Sequence, residues 1–337
     1  MLNKQNIRYL SPLALLTLSA CGGSSTVATS TASTVAGNVI KGPLSNALAF
    51  LDLDKDGVQD SGEPSVRTGS DGSYSLSTTA TDYNLVAITD GSTTDTSTGA
   101  VLAGVTLSAS KGASVITPLT TMMEQGNLTV AQVTAIFGLP TNVDPTTYNP
   151  FDTAADGYNA SDALAVELAS QQIMTVVTAF AAAGEGAGAT ATASFAAAMK
   201  AVIAVVKVKA DAGTTIDLTN TADLESIRDN AKTEMAKELT SEQSTAFDSL
   251  AASTTTAVKN VTTKIGLITD TNLSSAASKN IFTTTQALSD QMKDAAIAEV
   301  ETPGSGAAIV TFTSESTVNT AASNTARLTQ RQKPPLY

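Results

Sequence analysis

The sequence contains no histidine, no tryptophan and a single cysteine, Cys21. Without histidine or a second thiol, this chain cannot build a Ser-His-Asp triad, a Cys-His pair or a zinc site with imidazole ligands. An intrachain disulfide is excluded for the same reason. Aromatic residues make up only 4% of the chain, which leaves little material for platforms that stack sugars or bases. Chemistry based on carboxylates, lysine, serine or tyrosine remains open.

Basic side chains are also scarce. The chain has 19 Lys and Arg against 31 Asp and Glu, a net charge of −12. Removal of residues 1–20 would take away Lys4 and Arg8 and no acid, leaving 17 basic against 31 acidic side chains and a net charge of −14. A negative balance of this size disfavours nucleic acid as a partner, and it disfavours charge-driven binding to anionic lipid.

Residues 1–20 have the pattern of a secretory signal peptide: a basic start, a short apolar run and small residues at the end. The ending LSAC at residues 18–21 resembles the lipobox of bacterial lipoproteins. The resemblance implies that Cys21 is acylated and becomes the mature N-terminus, while Gly22 implies sorting to the outer membrane. The alternative is an ordinary signal peptide with a chance cysteine. We expect an outer-membrane lipoprotein that faces the periplasm or the cell surface, held by its lipid anchor.

Local patterns divide the mature chain into four parts. Residues 21–34 are small and hydroxyl-rich, which is typical of a flexible tether. Residues 35–112 hold short runs such as VAGNVI and SYSLST between Gly-, Asp- and Pro-containing turns, which indicates a small antiparallel β-sandwich. Residues 113–301 are predicted to form an α-helical domain, and residues 302–337 a short strand with a disordered tail. The predicted fold class is therefore α+β.

The helical prediction rests on periodicity and on capping signals. Apolar residues recur at steps of three and four, and the stripes include Val166, Ile173, Val177, Phe180, Phe195, Met199, Val202 and Val206. Thr129 with Gln132, and Thr240 with Gln243, have the spacing of a capping box. The glycine-rich stretch 184–190 and the polar stretch 211–220 are predicted to interrupt the helices.

The stretch DLDKDGVQDSGE at residues 52–63 carries the strongest chemical signal. Its acidic residues and its glycine match the calcium-loop template D-x-D-x-D-G-x5-E, with Asp52, Asp54, Asp56, Asp60 and Glu63 as candidate ligands and Gly57 at the bend. Carboxylates at alternate positions can converge on one cation, and without a cation they would repel one another. The alternative is a solvated acidic turn. A strand-like segment precedes the loop and Pro64 follows it, so we predict a Ca2+ loop on a β scaffold.

Residues 49–76 resemble the B-type and carboxypeptidase-regulatory-like sandwich modules of bacterial surface proteins. There, an acidic loop ending in GEP follows one strand and a DG-x-Y-x-L segment begins the next. The resemblance implies that the five loop acids are ligands, with Asp71, Gly72 and Tyr74 at the following turn and strand. The TPLTT segment and the sequence to residue 151 are similar to modules of large calcium-binding adhesins and related lipoproteins. The remaining helices resemble no family.

Other acidic residues carry weaker signals. Asp90 and Asp95 are interpreted as loop residues rather than ligands of a shared site. Asp144, Asp152 and Asp156 are irregularly spaced, which favours turn and cap roles over a second ion site.

We therefore expect a cell-envelope lipoprotein that acts as a structural or adhesive surface module stabilised by calcium, with another envelope or surface protein as its partner. The alternative is a periplasmic carrier or assembly factor that binds a ligand or a protein through its helices. A carboxylate-based enzyme finds no support, because no acidic pair outside the loop stands out.

Overall fold

A computed structural model of the chain describes residues 32–273, 276–305 and 312. The predicted signal peptide, Cys21, nearly all of the tether and the strand predicted after residue 305 lie outside the described residues. Within them, ten strands precede seven helices. The predicted α+β class is confirmed.

The strands are short and end at residue 116. They are β1 Ser33–Val39, β2 Leu44–Ser45, β3 Leu48–Asp52, β4 Ser65–Arg67, β5 Ser73–Thr78, β6 Asn84–Ile88, β7 Thr94–Asp95, β8 Ala100–Val101, β9 Thr106–Ser110 and β10 Val115–Ile116. The helices that follow are longer. They are α1 Pro118–Gly126, α2 Val130–Ile136, α3 Ala160–Ala187, α4 Ala191–Ala212, α5 Thr221–Met235, α6 Ser241–Gly266 and α7 Ala276–Glu301.

Three small sheets form among the described strands, in the orders β4-β3-β6-β9, β10-β1-β5 and β2-β7-β8. The pairs are antiparallel except for β1 with β10, which run parallel with Asn38 opposite Val115. The sequence analysis did not predict this parallel pair. It brings the end of the strand region beside its beginning, so that α1 starts directly against the sheets.

Alternation along β5 shows how the sheets share a core. Tyr74, Leu76 and Thr78 are buried while the serines between them are exposed, as expected for a strand with one face inward. Tyr74 and Leu76 join Leu51 of β3 and Leu107 of β9 in one apolar cluster. The four-stranded sheet and the β1–β5 pair therefore enclose a common interior, as in a sandwich.

Helix α3 is the central helix and packs against α4, α6 and α7. The stripe predicted from its sequence is buried, as is the stripe predicted on α4. Phe180 of α3 meets Phe247 of α6 with a centroid separation of 6.5 Å. By length and composition alone, α3 and α4 are apolar enough to cross a membrane, but 78% and 56% of their most apolar windows are buried inside the protein. Core helices of soluble proteins meet the same criteria.

Both predicted capping boxes are present. The hydroxyls of Thr129 and Thr240 accept the backbone N–H groups of Gln132 and Gln243. The side-chain oxygen of each glutamine in turn accepts the backbone N–H of the threonine that caps the helix. The interruption at residues 211–220 also agrees with the structure, since α4 ends at Ala212 and α5 begins at Thr221.

The interruption predicted at residues 184–190 is wrong in its first part, because α3 continues to Ala187. Gly184 and Gly186 lie within the helix, where close packing requires glycine. A Cβ at Gly186 would lie 2.2 Å from the Lys293 carbonyl oxygen of α7, and one at Gly184 would lie 2.4 Å from Met235 Sδ. These glycines let neighbouring helices approach α3 rather than ending it.

Candidate metal centre

The acidic loop connects β3, which ends at Asp52, with β4, which begins at Ser65. A backbone hydrogen bond of 3.0 Å from Leu51 N–H to the Pro64 carbonyl closes its base. Gly57 adopts the left-handed region with φ +79°, as a sharp bend at the sixth template position requires. The acidic segment therefore forms a loop between two β-strands, as the sequence predicts.

All five candidate ligands come together in two overlapping groups. Carboxylate oxygens of Asp52, Asp54 and Glu63 lie within 4.8 Å of one another, as do those of Asp54, Asp56 and Asp60. Oxygens bound to one calcium at about 2.3–2.6 Å can be at most about 5.2 Å apart, so either group fits around a single ion. Asp54 belongs to both groups and is the residue through which they would share a cation.

Backbone hydrogen bonds hold the two ends of the loop. Asp52, which is buried, accepts the N–H groups of Lys55 at 2.6 Å and Gly57 at 2.9 Å. Glu63 accepts the N–H groups of Leu53 at 2.6 Å and Asp60 at 3.0 Å, one on each oxygen. Each carboxylate oxygen has a second lone pair, so these bonds shape the loop and still leave acceptors for a metal.

The electrostatics of the loop favour a cation. Burial raises the pKa of Asp52, and the charge of Glu63 raises it further, while the hydrogen bonds from Gly57 and Lys55 oppose the change. The ammonium of Lys55 is turned outward to Asp82, at 2.8 Å. A divalent ion at Asp52 and Glu63 would stabilise both carboxylates in their charged form.

The turn that follows the loop contains Asp71 and Gly72. Asp71 Oδ1 accepts the Ser73 N–H at 3.0 Å, and Gly72 has φ +77°. Outside the loop, Asp144 and Asp152 accept backbone N–H groups two residues ahead of them. These are turn geometries, in line with the interpretation made from the sequence.

Asp90 and Asp95 behave differently from each other. Asp90 is partly exposed to solvent and pairs with Arg67 at 2.6 Å. Asp95 lies in β7, is fully buried and pairs with Lys41, which the loop interpretation did not anticipate. The available signal was Lys41 itself, a lone charge that directly follows the apolar residues Val39 and Ile40.

A cleft of about 610 Å3 opens beside the loop, between β6, β9 and α4. Asp52 and Asp56 contribute one wall, and the apolar floor comes from Phe195, Met199 and Ile203 of α4. This volume is within the range of small-molecule sites. Its position means that a bound cation and a ligand in the cleft would be neighbours.

Comparison with known protein families, with curated proteins and with solved structures finds no match for this chain. The fold and the loop define its class: an α+β protein with a convergent acidic loop on a β scaffold. The functional assignment therefore depends on the chemistry of the loop and on the sequence patterns.

Proposed function

We propose that the chain is a cell-envelope lipoprotein that serves as a structural or adhesive surface module, and that calcium stabilises its strand region. The observation that carries the proposal is the convergence of five carboxylates in the loop between β3 and β4. The lipobox-like LSAC sequence and the tether support the envelope location.

Calcium suits this donor set better than other common metals. The candidate ligands are all carboxylates, and calcium accepts six to eight oxygens in flexible geometry, whereas magnesium requires near-octahedral coordination. Zinc and copper sites favour imidazole or thiolate ligands, and the chain has no histidine. Extracellular calcium modules bind at about 10⁻⁴ to 10⁻³ M, so occupancy would follow the calcium concentration of the surroundings.

Thermal unfolding of residues 22–337 in EDTA and across a calcium titration tests the site. We expect the melting temperature to rise with calcium, because an ion that binds only the folded state at 100 times its Kd adds about 2.7 kcal/mol. The double variant Asp54→Ala with Asp56→Ala should lose the rise, since both groups of carboxylates lose ligands.

A matched control removes the same charge elsewhere. Asp156→Ala with Asp211→Ala changes two acidic residues that are exposed in the structure, and this variant should keep the full calcium response. An equal response in wild type and in the Asp54 and Asp56 variant would refute the metal site. A response that magnesium reproduces at equal concentration would refute the choice of calcium.

The envelope location has its own test. The full chain expressed with its leader should fractionate with membranes and incorporate labelled palmitate, and Cys21→Ser should abolish both. Protease treatment of intact cells then locates the body, because cleavage without disruption of the outer membrane supports surface exposure. Protection until the outer membrane is opened would contradict the surface role.

The cleft beside the loop favours a second candidate function, that of a periplasmic carrier or assembly factor. Its floor is apolar, and Lys200 lines it without an ion-pair partner among the described residues. Native mass spectrometry of protein purified without detergent would show a retained ligand if the carrier function holds. Protection from external protease together with such a ligand would favour this function over the first.

A further inference from the structure

The cleft beside the loop has one wall on the outer face of the four-stranded sheet. Leu85 and Ala87 of β6 belong to the apolar cluster of the interior, so Val86 between them faces the other side of the sheet. Val86 stands opposite Ser108 of β9, and both residues line the cleft. An apolar strand residue is ordinarily covered by the next layer, but here about 610 Å3 stays open between the sheet and α4.

Helix α4 forms the opposite wall. Phe195, Met199 and Ile203 recur every four residues, which places them on one face of the helix, and all three line the cleft. Ala196 and Ala204 also line it, and their short side chains keep the space open. The sheet and the helix can therefore enclose an apolar molecule from two sides.

The lysines of the cleft differ in how they are paired. Lys55 forms an ion pair with Asp82 outside the cleft lining. Lys207 donates to the Gly126 carbonyl, a neutral acceptor, and keeps its charge. Lys200 lines the cleft and has neither an ion pair nor a hydrogen bond among the described residues. Lys200 is therefore the cation that an anionic ligand would neutralise.

The acids of the cleft are already engaged. Glu124 accepts the Asn84 amide and the Ser108 hydroxyl, each at 2.7 Å and one on each oxygen. Asp52 and Asp56 accept N–H groups of the loop and belong to the candidate metal site. A calcium ion bound in the loop would offset the charges of both and leave the lysines as the dominant charge of the cleft.

We propose that the cleft binds a free organic acid with one apolar chain, that the acid group pairs with Lys200, and that calcium in the loop strengthens this binding. The chain lies between Val86 and the apolar face of α4, in a volume within the range of small-molecule sites. The acid strengthens calcium binding by the same factor, since coupling between two sites is reciprocal. The coupling rests on the proposed metal site, whereas the pairing with Lys200 does not.

Fluorescence titration of the purified chain with anilinonaphthalene sulfonate tests the site. This probe joins an apolar aromatic body to one anionic group, and phenylnaphthylamine has the same body without the charge. We expect one saturable site that prefers the sulfonate. Lys200→Met should bind the sulfonate about tenfold more weakly, because one charge-assisted hydrogen bond is lost, and should bind phenylnaphthylamine as the wild type does. Lys200→Arg should restore the preference for the sulfonate.

Two further variants locate the bound probe. Lys237→Met is the matched control: it removes an exposed lysine that pairs with Glu234 and lies outside the cleft lining, and it should keep the wild-type affinity. Ala196→Phe fills the cleft from an exposed position of α4, and it should lose both probes. Unfolding midpoints in urea confirm that each variant is folded, so that a probe bound to unfolded chain is not counted.

Competition identifies the class of ligand. In EDTA, decanoate should displace the sulfonate probe, whereas decanol and vesicles of phosphatidylglycerol should not. Equal sulfonate affinity in wild type and Lys200→Met would overturn the proposal. Displacement by the vesicles but not by decanoate would also overturn it, because the ligand would then be a membrane lipid rather than a free acid.

The coupling is measured by repeating the sulfonate titration in calcium. We expect the affinity to rise roughly fivefold or more, and Asp54→Ala, which lies in the loop but outside the cleft lining, should lose the rise. An unchanged affinity in a chain whose melting temperature does respond to calcium would overturn the coupling. A chain that shows no thermal response to calcium would refute the metal site, and the titrations in EDTA would still decide the pairing with Lys200.

Discussion

At the scale of single residues, Glu167 is an acidic side chain that is fully buried. It lies on the central helix α3, where Gln171 donates to one of its oxygens and the other oxygen has no partner in the part of the chain that the structure describes. An isolated buried carboxylate is unfavourable in its charged form, so the side chain takes up a proton instead. The stability of the protein should then depend on pH through this residue.

We predict that the free energy of unfolding falls as pH rises from about 5 to about 8, and that Glu167→Gln removes this part of the dependence. Burial raises the pKa of Glu167 from 4.5 in the unfolded chain to about 8 in the folded protein. Between these values the folded state binds the additional proton, so stability decreases with pH by up to about 1.4 kcal/mol per unit. The nearby charges are Asp95, which raises this pKa, and Lys41, which lowers it.

Urea unfolding at several pH values, without added calcium, measures the effect. The difference in stability between wild type and Glu167→Gln should decline steadily across this range and level off above it. Titration of the loop carboxylates is common to both proteins and cancels in the difference. A constant difference from pH 5 to pH 8 would show that Glu167 titrates normally.

At the scale of elements, the TPLTT segment connects the strands to the helices. Thr117 caps α1, and Thr121 occupies the first turn with its side chain buried. The Thr121 hydroxyl accepts the Ser108 N–H of β9 at 2.9 Å and donates to the Thr117 carbonyl at 2.7 Å. A threonine hydroxyl here completes the hydrogen bonding of both a strand and a helix.

Thr121→Val should destabilise the protein by about 1–3 kcal/mol, because it leaves the Ser108 N–H buried without an acceptor. Thr134→Val on α2 is the matched control. Its hydroxyl is buried and has no hydrogen-bond partner within the described residues, so its loss should be neutral or slightly stabilising. Equal unfolding midpoints in urea for the two variants would contradict this account of the strand–helix connection.

The same elements show which parts of the fold are local enough to predict. Thr129 and Thr240 cap their helices through hydrogen bonds to residues three positions further along the chain. The alternation of buried and exposed residues in β5 is equally local. Gly186 was misjudged because its role depends on Lys293, a residue on another helix. The parallel pairing of β10 with β1 likewise joins distant segments, which periodicity does not reveal.

The functional and buried ionisable residues also divide into those that a local sequence pattern reveals and those that only the fold brings together. The loop acids lie within twelve consecutive positions of a known template, so the sequence identified them before the structure brought them together. The buried residues Lys41, Asp95 and Glu167, by contrast, come from three segments that are distant in sequence: the turn after β1, strand β7 and helix α3. Glu167 stands inside an apolar helical run, where one acid is ordinarily a solvated residue, and only the packing of α3 shows that it is buried.

At the scale of the whole molecule, strands and helices share one interior. A single apolar cluster includes Leu51 and Leu107 from the strands and Ile173 and Phe195 from the helices. Lys207 of α4 also donates to the Gly126 carbonyl at the end of α1, at 2.7 Å. A continuous core of this kind favours cooperative unfolding over separate unfolding of the two parts.

We therefore predict that calcium bound at the loop stabilises the helices as well as the strands. All helices lie outside the loop, so they gain stability only through the shared core. At 100 times the Kd, the added 2.7 kcal/mol should raise the melting temperature by roughly 4 °C for a chain of this size. The helical circular dichroism signal reports on α1–α7. In a background that carries Tyr148→Phe, Tyr158→Phe and Tyr337→Phe, tyrosine fluorescence reports on the strand region, where Tyr74 and Tyr83 are buried. Both signals should shift together with calcium, and both should fail to shift in Asp54→Ala with Asp56→Ala.

A calcium shift in the tyrosine signal alone would show that the strand region unfolds as an independent unit, and that the common core does not couple the two parts.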